Sequence, residues 1–581
     1  MDKIKTVKIK NEDGSISEES YIISVDAKNV DMDNGKDLQD TIGNIDVDID
    51  GNISEQLEYL NENVDNLNID IKKKAYFFNT VTDMKAANLK VGDYACTLGY
   101  YETNDGGGAE YKILLSSVNY YEILDNNLKA ELIIKDNINV RQFGAYGDNV
   151  HNDTGAIQVA INYANIHTQK TIFIPNGTYL CNIIVYPKIE IIGEVNSILK
   201  SVSGSNSDVI KSYDFDEMTG TTTVIPDNKG LYYFKLENII IDGNLSNNTN
   251  GYGIKIFGRN LKFTNINVKN CASGGIYTEF GTHNSPTYGD DSFYSDLLES
   301  VFEKIKVFNC LGNGWTYKGP HDSHIKYYIC VKCQGWALNA DNTTSNGLII
   351  ENLNSWWCNN GIIVGNCRLS NCQIDGGSYD GSGSAVDSIG LQLRNDSGNV
   401  FINNCSIGTW GFGAILGGTG HMINGLYVRQ AFNTNIYMTN MTQSTLNFRI
   451  MTNRTETNLF KIDGSGANLV NGFIAASDGN TLFSGTHPYA QGHNSYNIAS
   501  SSEDYIYYQT SAKEINVKGW KPVLPLSNGT LIPDNQKPTA TSRGGVLQQT
   551  ISNFPSGETA TTNQINSLIA ALRTAGVFNQ N

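Results

Sequence analysis

The sequence predicts an all-β dominated fold whose main body is a parallel β-helix. The 581 residues include 57 glycines and 31 tyrosines but only 11 prolines, which suits short strands joined by tight turns. A glycine followed by a strand-like triplet recurs along residues 253–416. One amphipathic helix pattern precedes these repeats, where a stacked β structure needs its open end covered.

The charge of the chain limits its partners. A net charge of −17 disfavours nucleic acid and anionic membranes. The start has no apolar run typical of a secretion signal, and no stretch of about 20 apolar residues spans a membrane. The ten cysteines lack zinc-type pairs, so we expect reduced, buried thiols. Cys330-Val331-Lys332-Cys333 is nearest to a redox or zinc motif, and we interpret it as two small buried side chains on one strand.

The N-terminal segment, residues 1–52, is acidic and contains one calcium-like pattern. Asp46, Asp48 and Asp50 resemble the first half of a calcium loop, but Leu57 stands where a bidentate glutamate is expected. A solvated turn is therefore the preferred interpretation, and calcium is a weaker alternative. No other metal or cofactor is predicted.

A heptad pattern occupies residues 53–74 and predicts a short coiled coil. Its apolar positions are spaced 4-3-4-3-4: Ile53, Leu57, Leu60, Val64, Leu67 and Ile71. Fewer than three heptads are marginal alone, so we expect this segment to join chains that are held together elsewhere. An amphipathic helix packed on its own domain is the alternative. Residues 75–138 then indicate a small β-rich neck module with a glycine-rich turn.

The β-helix is predicted over residues 139–440, with a capping helix at 154–165. Asp153 or Thr154 can cap this helix at its N-terminus. Its buried face is predicted from four apolar residues at helical spacing: Ile157, Ala160, Ile161 and Ala164.

The repeat gives the rungs of the β-helix. The repeated glycines are Gly253, Gly275, Gly314, Gly335, Gly361, Gly390 and Gly413. Insertions at 282–299 and 377–388 explain the long intervals. Asn-Cys pairs end a second strand at Cys271, Cys310, Cys372 and Cys405, because asparagine tolerates the left-handed conformation of a tight corner and cysteine fits inside. Beyond 440 the repeat fades, so 441–530 is predicted as a C-terminal β-rich region and 531–581 as a linker with a small terminal segment.

Several stretches carry a family resemblance. "NVRQFGAYGDNVHNDTGAIQVAINYA", from Asn139, resembles the opening of pectate-lyase-like right-handed β-helix proteins. "AYFFNTVTDMKAANLKVGDYACTLGYYETNDGGGAEYKI" resembles the segment before such β-helices in bacteriophage tail spikes. "NGWTYKGPHDSHI" is similar to rungs of pre-neck appendage proteins of small podoviruses. The closing segment, "KPTATSRGGVLQQT", is similar to a short phage fibre domain.

The resemblance implies a homotrimeric phage tail spike or appendage in the virion, attached to tail or neck proteins through its N-terminal segment. Such a protein binds, and often cleaves, a host-surface polymer such as capsule, exopolysaccharide or wall teichoic acid. Its synthesis in the host cytoplasm needs no signal peptide. Because this fold hosts lyases, hydrolases and inactive adhesins, the chemistry stays open. Three further interpretations are a phosphodiesterase, a non-enzymatic receptor-binding adhesin and a structural virion fibre.

Strand alternation predicts an outward strip of substrate-binding residues. If the first and third triplet residues face the core, the second residue and the one two positions later face outward. The predicted strip includes Tyr277, Lys318, Asn339 and Arg394. In the rung after Gly335, Ala337 is the second triplet residue and Asn339 lies two positions later, so both are expected to face outward. Trp356 is a further candidate as a sugar-stacking platform, since one of the two consecutive strand residues Trp356 and Trp357 must face outward. A helix cap or a trimer contact is the alternative for this exposed tryptophan. An ordinary solvated face is the alternative.

Acids on neighbouring rungs are the catalytic candidates. Stacked rungs lie about 4.8 Å apart, so carboxylates one or two rungs apart suit a retaining or an inverting glycosidase. Glu279, Asp322 and Asp341 are predicted on three consecutive rungs, and His321 is a candidate general base. Each of these acids is alternatively a turn residue.

Overall fold

The computed structural model describes residues 75–220, 229–281, 299–378, 380–453, 458–463 and 465–476, with further strand segments at 9–10, 16–17, 481–484, 495–500, 505–507, 514–518 and 521–523. The calcium-like pattern, the heptad segment at 53–74 and the terminal segment at 531–581 lie outside the described residues. The chain divides into two compact units, Met1–Tyr76 with Gly92–Tyr94 and Phe77–Val91 with Ala95–Asn581. In the first unit, strand Ile9–Lys10 pairs antiparallel with strand Ile16–Ser17.

Two parallel sheets run along the second unit. The longer sheet contains these described strands: Ile138–Asn139, Asp148–Asn152, Thr171–Ile174, Gly177–Leu180, Glu190–Gly193, Ser197–Lys200, Lys235–Glu237, Ile240–Asp242, Lys262–Lys269, Val301–Cys310, His324–Cys333, Leu348–Glu351, Asn354–Trp356, Cys367–Ser370, Gln373–Asp375, Phe401–Gly408, Met422–Arg429, Thr445–Thr452, Leu469–Ala476, Ser495–Ser500 and Glu514–Lys518.

The second sheet contains these described strands: Ile183–Val185, Ile210–Ser212, Tyr252–Phe257, Gly274–Glu279, Trp315–Lys318, Trp336–Asn339, Asn360–Val364, Ile389–Leu393, Phe412–Leu416, Thr434–Thr439, Asn458–Asp463 and Thr481–Ser484. Successive turns of the chain therefore add parallel strands to both sheets. This is a parallel β-helix, as the sequence predicts.

The core of the β-helix is a stack of apolar side chains in register. One column of the longer sheet runs through Ile172, Ile191, Leu236, Phe263, Phe302, Ile325, Ile350, Leu369, Ile402, Ile423, Leu446 and Val470. Every member is 1% exposed or less. Burial of each such side chain stabilises the fold by about 1.5–3 kcal/mol, so the stack is a main source of stability.

Left-handed residues turn the chain at corners within and after the strands of the longer sheet. Asn270, Asn309, Asn371 and Asn404 have φ between 54° and 57°, and the cysteine after each one is buried. The predicted Asn-Cys corners are therefore confirmed. Two other residue types take the same conformation directly before buried cysteines, namely Lys332 at φ 60° and Trp357 at φ 56°.

The amphipathic helix spans Thr154–Ile166, and its buried residues are the predicted four: Ile157, Ala160, Ile161 and Ala164. Its cap differs from the prediction. The Asp153 carboxylate accepts hydrogen bonds from the amides of Tyr146 and Gly147, at 2.6 and 3.1 Å, and makes none to the helix. The Asn152 side chain accepts from the Thr154 amide instead. Asp153 therefore holds the loop in front of the helix.

The glycine repeat drifts from the structural rungs at two places. Trp315 pairs with Leu338, so Ala337 and not Gly335 lies beside Gly314. Ala414 pairs with Ile436, and Ile436 with Phe460, so the position of Gly413 passes to Asn435 and then to Leu459. The repeat fades there although parallel strands continue to Glu514–Lys518. The sequence predicts that the β-helix ends at about residue 440, whereas its parallel strands continue beyond that residue. The prediction stops early because Asn435 and Leu459 replace the rung glycine.

Residues 75–138, which are predicted as a neck module, contain strands Ala75–Phe78, Tyr94–Thr97, Glu110–Leu114, Tyr121–Ile123 and Lys129–Ile133, and helix Val81–Lys85. The last three strands pair antiparallel. Asp105 holds its glycine-rich turn, because the carboxylate accepts from the amides of Tyr100, Tyr101, Glu102 and Gly107. The other described helices are Phe215–Met218 and two 3-10 turns, Val140–Phe143 and Thr343–Ser345. In the described part of the chain, no helix has the length and apolar character to cross a membrane.

His421 makes the stability of the β-helix pH-dependent. Its ring is 1% exposed; Nδ1 accepts from the Val400 amide at 3.2 Å, and Nε2 donates to the Gly417 carbonyl at 2.8 Å. Burial lowers the pKa of His421 because it disfavours the charged ring. The unfolded chain therefore binds this proton at a higher pH than the folded chain, and stability is lost as the pH falls below about 6.5.

We expect the urea concentration at the unfolding midpoint of the wild type to decrease when the pH is lowered from about 7.5 to about 5. A His421→Gln variant should show a smaller fall, because its side chain does not titrate. Equal pH dependence in the two proteins would rule out this contribution of His421.

Candidate functional site

The second sheet presents a polar column on its outer face. The register aligns Lys255, Tyr277, Thr316, Asn339, Ile363 and Gln392 on successive rungs. Neighbouring members of such a column lie about 4.8 Å apart. The sequence predicts Ala337 as the neighbour of Thr316 in this column. In the structure Asn339 takes that place, because Ala337 aligns with Gly314 and so occupies the position of the rung glycine. Tyr277 and Asn339 are half-buried, whereas Thr316 and Ile363 are buried.

Glu279 lies two residues after Tyr277 and is 7% exposed. Its carboxylate accepts hydrogen bonds from the Gly220 amide at 2.5 Å, the Thr219 hydroxyl at 3.1 Å and the Tyr277 hydroxyl at 2.7 Å. Three donors around one buried acid fix the position of its two oxygens. Glu279 is therefore a fixed acceptor beneath the outer face.

Tyr277 connects this buried acid to the surface. Its ring packs edge-on against Phe215 and Tyr252, with centroid distances of 5.3 and 5.5 Å. Burial, and then the hydrogen bond to Glu279, raise the pKa of the Tyr277 hydroxyl well above its usual range. The hydroxyl therefore stays protonated near neutral pH and points its proton at the carboxylate.

Two lysines flank the tyrosine on neighbouring rungs. The Lys318 Nζ lies 5.4 Å from the centroid of the Tyr277 ring, and Lys318 pairs with Glu279 in the parallel register. The Lys255 Nζ lies 4.7 Å from the centroid of Phe215 and 3.8 Å from the carboxylate of Asp208. Lys255, Tyr277, Glu279 and Lys318 thus lie on three successive rungs, and we name them the Tyr277 cluster.

The other predicted catalytic residues lie on the next two rungs. His321 Nδ1 is 2.7 Å from Asp322 Oδ2, and both residues lie in the turn after strand Trp315–Lys318. Asp341 is exposed, and its amide donates to Asn339 Oδ1 at 3.1 Å. The Asp322 amide donates to the Asn346 carbonyl at 2.9 Å, which joins these two turns. The three acids therefore occupy consecutive rungs, and each makes its hydrogen bonds with residues other than the two other acids.

Arg394 takes a different position from the one that its outward register suggests. It is 6% exposed, and its guanidinium lies over Gly365. It donates to Asp396 at 2.8 Å, to the Asn342 carbonyl and to Asn346 Oδ1 at 3.3 Å. Arg394 therefore anchors the loop after Asp341 rather than facing solvent.

Trp356 lies on the longer sheet, in strand Asn354–Trp356, and not beside the Tyr277 cluster. Trp356 and Trp357 are 37% and 53% exposed. The expectation that one of the pair faces outward does not apply, because Trp357 leaves the strand at a left-handed corner. Trp357 packs against Gly377, and Gly377 lines a polar cleft of about 550 Å³ at the 377–388 insertion.

Sequence reasoning missed Phe215, which packs against Tyr277, and Thr219 and Gly220, which donate hydrogen bonds to Glu279. Helix Phe215–Met218 lies before the first repeated glycine, so no rung period identifies it. Its side chains pack on Phe257 and Phe280 of the second sheet. As for metals, the described residues contain one group of three ligand side chains, all cysteines, and it lies away from the Tyr277 cluster in the core.

Comparison with known proteins gives a family match for part of the chain. Residues 137–376 match the family model "Rhamnogalacturonase A/epimerase, pectate lyase-like". This part of the chain is a pectate-lyase-like β-helix, and the resemblance inferred for its opening segment is confirmed. No curated protein matches the sequence.

Solved structures with a similar fold come from bacteria and phages. The A-module of mannuronan C-5 epimerase AlgE6 from Azotobacter vinelandii is 16% identical, with 67% of this chain and 100% of that chain covered and a TM-score of 0.49. Tailspike protein 2 of bacteriophage CBA120, as its enzymatically active domain, is 12% identical, with 82% and 67% covered and a TM-score of 0.39. Tailspike gp49 of the Acinetobacter baumannii bacteriophage Fri1, a capsular polysaccharide depolymerase, is 13% identical, with 84% and 80% covered and a TM-score of 0.38.

Proposed function

We propose that this chain is a bacteriophage tail spike or appendage that binds and depolymerises a host-surface glycan during adsorption. The observation that carries the proposal is the Tyr277 cluster, in which a buried carboxylate accepts a hydrogen bond from the Tyr277 hydroxyl and a lysine lies on each neighbouring rung. Two features support it: the cluster lies within the segment that matches a polysaccharide-processing family model, and the segment before the β-helix resembles the neck of phage tail spikes.

The cluster supplies the groups that acid–base cleavage of a glycan needs. Glu279 accepts a proton, Tyr277 passes a proton between the buried acid and the substrate, and Lys318 stabilises negative charge that develops on an oxygen. Asp341 lies two rungs beyond Glu279, which is about 9.6 Å along the stack and near the upper limit for a pair of acids in an inverting glycosidase. Asp341 and the His321–Asp322 pair are therefore the proposed second acid or base.

Depolymerisation is tested with purified full-length protein and a panel of host-envelope polymers: capsule, exopolysaccharide and wall teichoic acid. The expected result is the release of oligosaccharides or phosphodiester fragments from one polymer, and a halo without plaques on a host lawn. The fragments identify the bond and separate a hydrolase from a lyase or a phosphodiesterase. Binding to a polymer without release of fragments would favour a receptor-binding adhesin over an enzyme. Absence of both binding and fragment release would favour a structural virion fibre.

The adhesin alternative has its own support, because Trp357 packs against Gly377, which lines the cleft at the 377–388 insertion. Aromatic faces beside polar groups suit sugar binding. A Trp357→Ala variant that loses polymer binding while fragment release from short oligosaccharides persists would assign the cleft to adhesion. A loss of both activities together would place binding and cleavage in one groove.

Tyr277→Phe separates proton transfer from binding at the proposed site. The ring and its packing on Phe215 and Tyr252 remain, but the hydroxyl that reaches Glu279 is removed. We expect the cleavage rate to fall by about 10²-fold while glycan binding changes little. Tyr437→Phe is the matched control, since the Tyr437 hydroxyl donates to Asp463 at 2.9 Å in the same sheet. Equal rates for Tyr277→Phe and the control would exclude Tyr277 from proton transfer.

We also propose that the chain works as a homotrimer that attaches to tail or neck proteins through its N-terminal segment. Exposed apolar side chains on the outer face of the longer sheet support an interface between copies, with Phe401, Met422 and Leu469 between 40% and 50% exposed. Light scattering should give three times the chain mass of 63.7 kDa. A monomer mass would exclude this assembly.

A further inference from the structure

Three cysteine thiols converge inside the β-helix, away from the proposed glycan site. Cys330 and Cys333 belong to strand His324–Cys333, and Cys358 follows the strand of the next rung. The Sγ atoms of Cys330 and Cys333 are 3.6 Å apart, those of Cys330 and Cys358 are 3.8 Å apart, and all three lie within 4.8 Å of one another. All three residues are 0% exposed.

The spacing of the sulfurs matches the dimensions of a thiolate metal site. A triangle with these sides has its centre about 2.1–2.4 Å from every sulfur, and a zinc–thiolate bond is about 2.3 Å long. Sulfur ligands select thiophilic cations such as Zn²⁺, Cd²⁺ and Cu⁺ over hard cations such as Mg²⁺ and Ca²⁺, which need oxygen ligands.

A neighbouring hydroxyl points to the same conclusion. Ser355 pairs with Cys330 in the parallel register, so the two side chains lie next to each other on adjacent rungs. The Ser355 hydroxyl is buried, and the described residues offer it no hydrogen-bond partner. Buried hydroxyls are normally satisfied, and a metal-bound thiolate is a stronger acceptor than a thiol. The hydroxyl makes no hydrogen bond to the Cys330 sulfur in this structure, so a bound cation would give it an acceptor once the Ser355 side chain rotates towards that sulfur.

We propose that Cys330, Cys333 and Cys358 form a trigonal site for one thiophilic cation, with the Ser355 hydroxyl donating to the sulfur of Cys330. The ion joins two successive rungs from within and so stabilises the middle of the β-helix. Because the cluster is closed to solvent, the ion enters while the chain folds, before the next rungs cover the site.

The metal content of the protein is the first test. The full-length chain is produced in medium supplemented with Zn²⁺, purified with a non-thiol reductant and analysed by mass spectrometry for bound metal. In parallel, Cd²⁺ replaces Zn²⁺ during folding, and the thiolate-to-cadmium charge-transfer band is measured. We expect one ion per chain. Absence of both zinc and the cadmium band from the folded protein overturns the proposal.

Substitutions locate the ion. Cys330→Ser, Cys333→Ser and Cys358→Ser should each lose the ion, whereas Cys372→Ser, at a buried cysteine outside the cluster, should keep it. An ion that all three cluster variants retain would overturn the assignment.

Ser355→Ala covers the case in which the cysteine variants fail to fold, because it leaves all three sulfurs in place. Loss of the hydrogen bond to a ligand should make zinc removal by a competing chelator about 10-fold easier or more. Unchanged competition in Ser355→Ala would contradict the role of the hydroxyl. For the wild type, Zn²⁺ but not Mg²⁺ should raise the melting temperature of protein folded in its presence, and equal effects of the two ions would contradict the site.

Discussion

Replacing Glu279 with glutamine should reduce glycan cleavage by about 10²-fold or more while the β-helix stays assembled. Glutamine keeps the size of the side chain and retains one oxygen for the Gly220 amide, but it cannot accept the proton that Tyr277 directs at the carboxylate. The initial rate of fragment release is the measurement, and circular dichroism with light scattering reports on fold and assembly.

Asp463→Asn is the matched control for this loss. Its carboxylate also accepts a hydrogen bond from a tyrosine of the second sheet, Tyr437, but lies several rungs away from the Tyr277 cluster. The control should keep the wild-type rate. Full activity in Glu279→Gln would remove Glu279 from the mechanism. Comparison of Asp341→Asn with Asp322→Asn would then show whether an exposed acid of the following rungs carries the chemistry.

Replacing Ile161 with aspartate should destabilise the β-helix at its N-terminal end. Ile161 is 0% exposed on the inner face of helix Thr154–Ile166. Loss of the buried side chain costs about 2–5 kcal/mol, and burial of a charge adds to this. Val159 lies on the same helix but is 39% exposed, so Val159→Asp is the control for the added charge. We expect aggregation or a lower urea midpoint for Ile161→Asp alone.

Wild-type yield and midpoint for Ile161→Asp would show that the helix does not cover the core. An equal loss of yield or urea midpoint in Ile161→Asp and Val159→Asp would instead assign the effect to the added charge on this helix. The two substitutions therefore test burial on one face of a single element.

Much of the fold is predictable because the β-helix repeats the same local requirements. Apolar residues recur in the core column, asparagine recurs at left-handed corners, and one helix has a single buried face. The prediction loses accuracy where another residue meets the same requirement. Ala337 is small enough to replace a rung glycine, and Asn435 and Leu459 follow Gly413 in the same position, so the period fades although the strands continue.

The candidate site is less predictable, because burial and partners come from elements outside the repeat. The register placed Tyr277, Glu279 and Lys318 on adjacent rungs, but only helix Phe215–Met218 and its C-terminal residues Thr219 and Gly220 make Glu279 a buried acceptor. Arg394 has the outward register of a binding residue, yet the loop after Asp341 covers it. Periodicity reports the direction of a side chain and gives no information on what a neighbouring loop places over it.

The left-handed corner before the buried cysteines has a consequence for how the surface of this protein can change. The corner position accepts asparagine at Asn270 and Asn309, lysine at Lys332 and tryptophan at Trp357, all with nearly the same backbone conformation. Rungs repeat at about 4.8 Å, so these side chains form a row of fixed pitch whose chemistry is independent of the stack beneath it. Single substitutions along this row would change the surface of one rung at a time and leave the core residues beneath it unchanged.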